Sequence, residues 1–72
     1  MQSFIKNKNV QPNGDYEVHN TTTGCTFMPL LENRVPLGNH LTCHGAVAAA
    51  RVTWTNERIN GCYYCCPPCH TT

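Results

Sequence analysis

The stretch that decides the reading is Cys62-Tyr63-Tyr64-Cys65-Cys66-Pro67-Pro68-Cys69-His70. It contains two consecutive Cys-x2-Cys pairs, Cys62/Cys65 and Cys66/Cys69, with His70 directly after. A tight turn over two residues brings both sulfurs of such a pair to one face, at the separation a tetrahedral ion needs. The two pairs differ in their backbone. Pro67 and Pro68 have no N–H to offer a sulfur, whereas the turn through Tyr63 and Tyr64 keeps its donors. Cys62/Cys65 is therefore the better knuckle. Cys66/Cys69 stays open as a pair held rigid by its prolines, with His70 as a spare ligand.

A second half-site lies upstream. His40 and Cys43 have His-x2-Cys spacing, and His44 follows at once. Between Cys43 and Cys62 lie 18 residues, inside the gap of roughly 15 to 20 that separates the two halves of many zinc sites. A helix fills that gap, from Thr42 or His44 to about Glu57. Ala46, Ala48, Ala49, Ala50 and Arg51 favour it. Val47, Ala50 or Arg51, and Trp54 share one face, with Trp54 as the apolar anchor. Asn60-Gly61 reads as its stop signal. The candidate ligands His40, Cys43, Cys62, Cys65, Cys66 and Cys69 would thus bracket the helix.

The rest of the chain explains the need for a staple. Ile, Leu, Val and Phe together number 13 of 72 residues. Ordering a chain of this length costs about 110 kcal/mol, at roughly 1.5 kcal/mol per residue, which so few apolar side chains hardly offset. Only 12% of residues are charged and the net charge is +1. Eight Asn and nine Thr make the surface polar without charge. Lys6, Lys8, Arg34, Arg51 and Arg58 are scattered, so no basic stripe marks a nucleic-acid face. No apolar run approaches the length of a membrane span.

Residues 1–14 read as a flexible, Asn-rich arm ending in the turn signal Pro12-Asn13-Gly14, with Phe4 and Ile5 free to dock. Residues 15–72 read as one metal-stabilised domain. Asp15–His19 alternates polar and apolar as a half-buried strand. After the turn-forming Asn20–Gly24, Cys25–Leu31 reads as its hairpin partner, with Pro29 at a strand end. His19 reads as a surface or core residue. Cys25 reads as a small buried hydrophobe that can reach the cluster across the hairpin.

Several chemistries compete with a metal. Six cysteines also fit a disulfide framework with 15 connectivities, as in a secreted mini-protein. The initial Met1 and the missing apolar leader favour a reducing, cytoplasmic setting instead. Cys66-Pro67-Pro68-Cys69 has redox spacing, yet too few residues follow it to build the helix that would activate a thiol. Glu17, Glu32 and Glu57 stand in no His-Glu-x2-His arrangement, so the chain does not read as an enzyme. Tyr63 and Tyr64 flank the ligands, and an exposed one could stack on a single-stranded base.

In ligand spacing, His40 to His70 resembles small zinc-knuckle and zinc-ribbon domains. That resemblance implies a fold-stabilising ion and no activity. The sequence therefore predicts a small α+β zinc-stabilised domain: a β-hairpin, one α-helix and a Cys-rich C-terminal knuckle. Its expected cofactor is Zn2+, and its expected role is that of a protein-interaction or accessory regulatory module with a protein partner. A zinc-knuckle nucleic-acid binder and a disulfide-stapled secreted mini-protein are the alternatives.

Overall fold

The segment expected to be a loose arm supplies a central strand. In the computed structural model, which describes residues 1–71, β1 (Gln2–Asn7) pairs on both sides. It is followed by β2 (Asp15–Asn20), a 3-10 turn (Leu31–Asn33), β3 (Arg34–His40), α1 (Cys43–Thr53), β4 (Arg58–Gly61) and a second 3-10 turn (Pro67–Cys69). Strand order is β3-β1-β2-β4. β1 runs antiparallel to β2 and β3, and β2 runs parallel to β4. The architecture is a small α+β unit with a mixed four-stranded sheet and one helix.

Burial explains why β1 is not an arm. Phe4 is 1% exposed and packs in the core with Val18, Ala46, Val47, Ala50 and Ile59. Lys6, two residues on, points to the same side and is only 3% exposed. Its ammonium meets Glu57 Oε1 at 2.7 Å and lies 4.5 Å from the ring centres of both Tyr16 and Trp54. A buried cation so enclosed keeps its charge partnered, which makes a polar residue admissible in a core strand. A Lys at an interior position is what hid the strand from sequence reading.

The hairpin is built differently from the expectation. β2 pairs with β1, and residues 25–31 form no strand. The strand expected there lies later, as β3, whose Pro36 is tolerated at a sheet edge. A bulge interrupts its pairing with β1: Phe4 faces Gly38 and Ile5 faces Pro36, which leaves Leu37 unpaired in register. Gly38 has φ +80°, a conformation suited to glycine at such a bulge.

The helix face is as the spacing predicts: Val47 and Ala50 are buried and Trp54 packs against them. The helix ends at Thr53, earlier than expected: Trp54 makes the last helical bond, N–H to Ala50 O at 2.8 Å, and then leaves helical geometry at φ −118°, ψ 72°. Asn60 and Gly61 do not stop it; they belong to β4. β3, α1 and β4 form a parallel crossover that spans β1 and β2. Gly61 has a steric role there. A Cβ at this position would stand 2.6 Å from Cys69 Cβ and 2.9 Å from Cys66 O. Its lack of a side chain lets the Cys66–Cys69 turn lie against β4. No helix among the described residues is long and apolar enough to cross a membrane.

A candidate metal centre at the end of β2

The cluster begins with β2. Residues alternate across a strand, so Glu17 and His19 face away from Tyr16 and Val18, which face the helix. His19 is 1% exposed. The chain then reverses. Asn20 Oδ1 accepts hydrogen bonds from Thr22 N (2.9 Å) and Thr23 N (3.2 Å), and Gly24 N donates to Asn20 O at 2.8 Å. Gly24 takes φ +68°, which completes the turn. Thr21 fastens it to β1 through its N–H and its hydroxyl, both donated to Ser3 O. Cys25 is thereby returned beside His19.

The knuckle after β4 supplies the remaining donors. Cys62 N donates to Val18 O at 2.9 Å, extending the β2–β4 pairing by one step, and Cys66 N closes the turn on Cys62 O at 2.8 Å. One donor atom each from His19, Cys25, Cys62 and Cys65 lies within 4.8 Å of all the others. His19 Nδ1 is 3.5 Å from Cys65 Sγ and 3.9 Å from Cys25 Sγ, and Cys25 Sγ is 3.9 Å from Cys62 Sγ. A tetrahedral ion with Zn–S and Zn–N bonds of ordinary length has S···S edges of about 3.8 Å and S···N edges of about 3.5 Å. The Cys25–Cys62 and His19–Cys65 separations match those edges, and His19–Cys25 exceeds its edge by about 0.4 Å. These four residues are positioned to hold a metal ion.

Backbone donors complete the setting. Tyr64 N and Asn20 N each point at a sulfur, of Cys62 and Cys65 respectively, at 3.4 Å. The N–H of Phe27 does the same for Cys25. Such bonds stabilise thiolate and are the outer contacts of a sulfur site. The other imidazole nitrogen, His19 Nε2, is buried without a hydrogen-bond partner and faces Glu17 Oε1 at 3.5 Å. An ion bound at Nδ1 leaves the proton on Nε2, where the Glu17 carboxylate is placed to orient the ring.

Without an ion the cluster is a costly place for charge. Burial pushes the Cys62 thiol up to about 12 and raises Cys25. The hydrogen bond between Cys65 and Cys66, followed by burial, raises Cys65, and the same bond lowers Cys66. Burial lowers the His19 imidazole to about 4. The metal-free cluster is therefore neutral at physiological pH: three thiols and a free-base imidazole. A cation entering it displaces thiol protons, so its uptake strengthens as pH rises.

The six residues singled out from sequence fall into different places. Cys62 and Cys65 lie in this cluster. Cys43 and Cys69 are joined by a disulfide. Cys66 is buried beside them in the core and belongs to neither ligand group. His40 is also outside both groups: its Nε2 donates to Leu37 O at 2.8 Å, and its ring lies against Gly45. The expected His40-x2-Cys43 half-site is thus not brought to the Cys62 knuckle. α1 carries Cys43 to the second 3-10 turn instead. The sequence points to His19 as a surface or core residue, and to Cys25 as a buried hydrophobe able to reach the cluster rather than as a ligand. Their five-residue separation is not a knuckle spacing, and only the Asn20–Gly24 turn makes them neighbours.

No known protein family, no curated protein and no solved structure matches the chain.

Proposed function

We propose that the chain is a small zinc-binding module whose ion is held by His19 Nδ1 and the sulfurs of Cys25, Cys62 and Cys65. The match of the donor separations to tetrahedral edges carries this reading. Three sulfurs and one nitrogen suit zinc better than the hard cations, which take oxygen. Four protein donors leave no position for a substrate, so the ion is structural and the chain is not an enzyme. Metal binding of this kind is worth about 10 to 16 kcal/mol in small fingers and would offset the thin core. Three thiolate ligands need a reducing setting such as the cytoplasm during loading.

The role that follows is interaction with a protein partner. The ion ties two loops together, and both present apolar side chains to solvent. Phe27, Tyr63 and Tyr64 are 58%, 62% and 60% exposed, and Leu30 and Leu31 extend the apolar run. Phe27 stacks on Tyr64 with centroids 4.5 Å apart, and Tyr63 meets Tyr64 edge-on at 5.1 Å. Exposed aromatic clusters of this kind are typical anchors of protein interfaces. The same rings could stack on single-stranded bases, but the charge needed to hold a phosphate backbone is missing. Lys6 is buried, and Arg58 meets Asp15 at 3.0 Å.

Chelation followed by far-UV CD tests the structural ion: EDTA should abolish the signal of the folded chain, and a fold that survives it refutes the reading. A Phe27→Ser/Tyr64→Ser variant tests the surface. It should keep its zinc and lose partners that wild type cross-links in cells. Salt-sensitive retention of single-stranded RNA would favour the nucleic-acid alternative.

A further inference from the structure

We propose that Cys43, Cys69 and His44 form a second zinc site that exists only when the disulfide between the two cysteines is reduced. The two sulfurs and one ring nitrogen of His44 lie within 4.8 Å of one another. None of these residues takes part in the His19 cluster.

The positions of the donors do not depend on the covalent bond alone. Cys43 is the first residue of α1, where the unpaired N–H groups of an 11-residue helix favour a thiolate. Cys69 is fixed by its own turn, with Cys69 N donating to Cys66 O at 3.0 Å and His70 N to Pro67 O at 3.2 Å. Thr71 N adds a bond to Asn60 Oδ1 at 3.0 Å. The steric gap at Gly61 keeps that turn against β4. Opening the disulfide therefore leaves two buried sulfurs on anchored backbones, free to part by side-chain rotation to the spacing an ion needs.

Access is also provided. His44 is exposed and lines a groove of about 270 Å³ together with Val47, Arg51, Pro68 and Cys69. A reductant and an ion can both enter there. The chemistry balances with a dithiol as reductant. The dithiol transfers two electrons and two protons, the Cys43–Cys69 bond breaks to two thiols, and the dithiol becomes a cyclic disulfide. Zn2+ then displaces the two protons, forms two Zn–S bonds and accepts the neutral His44 nitrogen, with water as the fourth ligand. Exchange with the cyclic disulfide, which accepts two electrons and two protons to become the dithiol again, reverses this and ejects the ion as the S–S bond re-forms. The two forms hold the start of α1 to the C-terminal turn by alternative links.

Native mass spectrometry of the full chain with excess zinc, before and after treatment with a phosphine reductant, tests the proposal. The oxidised chain has four free cysteines and should carry one ion. The reduced chain should carry two. In the reduced state His44→Ala, a change at an exposed position, should weaken the second ion by roughly tenfold or more. Cys43→Ser/Cys69→Ser should hold one ion in both conditions. A reduced chain with all six thiols free that still binds one ion overturns the proposal, as does a second ion indifferent to His44→Ala. If the oxidised chain binds none and the reduced chain binds one that His44→Ala removes, the His19 site fails and this one stands. No ion in either state removes both.

Discussion

The two cysteine clusters of this molecule use the same element in opposite ways. At the end of β2, three sulfurs and an imidazole nitrogen lie within 4.8 Å of one another, each sulfur receiving a backbone N–H. At the start of α1, two sulfurs are joined directly and the nearby histidine is exposed. The difference lies in how the backbone arrives. Two loops and a strand end converge on the first cluster and leave a space between donors. A helix start and a 3-10 turn meet at the second, where the S–S bond leaves room for an ion only after it opens. Donor count alone does not distinguish a metal centre from a cross-link; the directions of approach do.

The comparison breaks most severely at the first cluster. Cys62→Ser should abolish tight zinc binding and with it most of the roughly 10 kcal/mol or more that a structural ion contributes. Zinc titration and CD on the variant check this. The disulfide closes a sequence separation of 26 residues, so Cys43→Ser/Cys69→Ser should cost about 3 to 4 kcal/mol in urea unfolding, measured against the oxidised chain.

In the oxidised chain a pH effect belongs to the first cluster. The folded-state pKa of His19 is depressed, to about 4, so folding favours the neutral ring. Its contribution in the metal-free protein is complete above about 6.5 and is lost as pH falls from there to about 4. Protons also compete with the ion for this ring, so the zinc-loaded chain should release its ion as pH falls through that range, read with a zinc indicator at stepped pH. Gly61 joins both clusters to the sheet. Gly61→Ala forces Cys69 and the Cys66 carbonyl back and should cost about 1 to 3 kcal/mol, read as a shifted urea midpoint.

The smallest change concerns orientation. Glu17→Gln keeps the side-chain size but removes the charge facing His19 Nε2. It should weaken zinc affinity by about 10 to 100-fold in competition with a chelator, and leave the disulfide untouched.

Part of this was legible beforehand. The Cys62-x2-Cys65 knuckle, its N–H donor at Tyr64, the buried helix face with Val47 and Ala50, and the strand around Val18 follow from spacing and alternation, both local properties. The central strand β1 was not legible. Its Lys6 looks like a surface residue until Glu57, Tyr16 and Trp54, all distant in sequence, enclose it. His19 and Cys25 escaped for a related reason: each is commonplace alone, and the turn that pairs them depends on Asn20, Gly24 and the anchor of Thr21 on Ser3.

What the sequence by itself determined is a shortage and a supply: a core of few apolar residues, and six cysteines to make up for it. Residue types and short spacings are enough to establish both. The tertiary structure decided the pairing. It sent Cys43 to Cys69, left His40 bonded to Leu37, and brought His19 and Cys25 to Cys62 and Cys65. Those choices depend on the order β3-β1-β2-β4 and on the crossover through α1. Chain direction and strand order are properties of the whole fold, and they determine which donors meet across 37 or 46 residues and which do not.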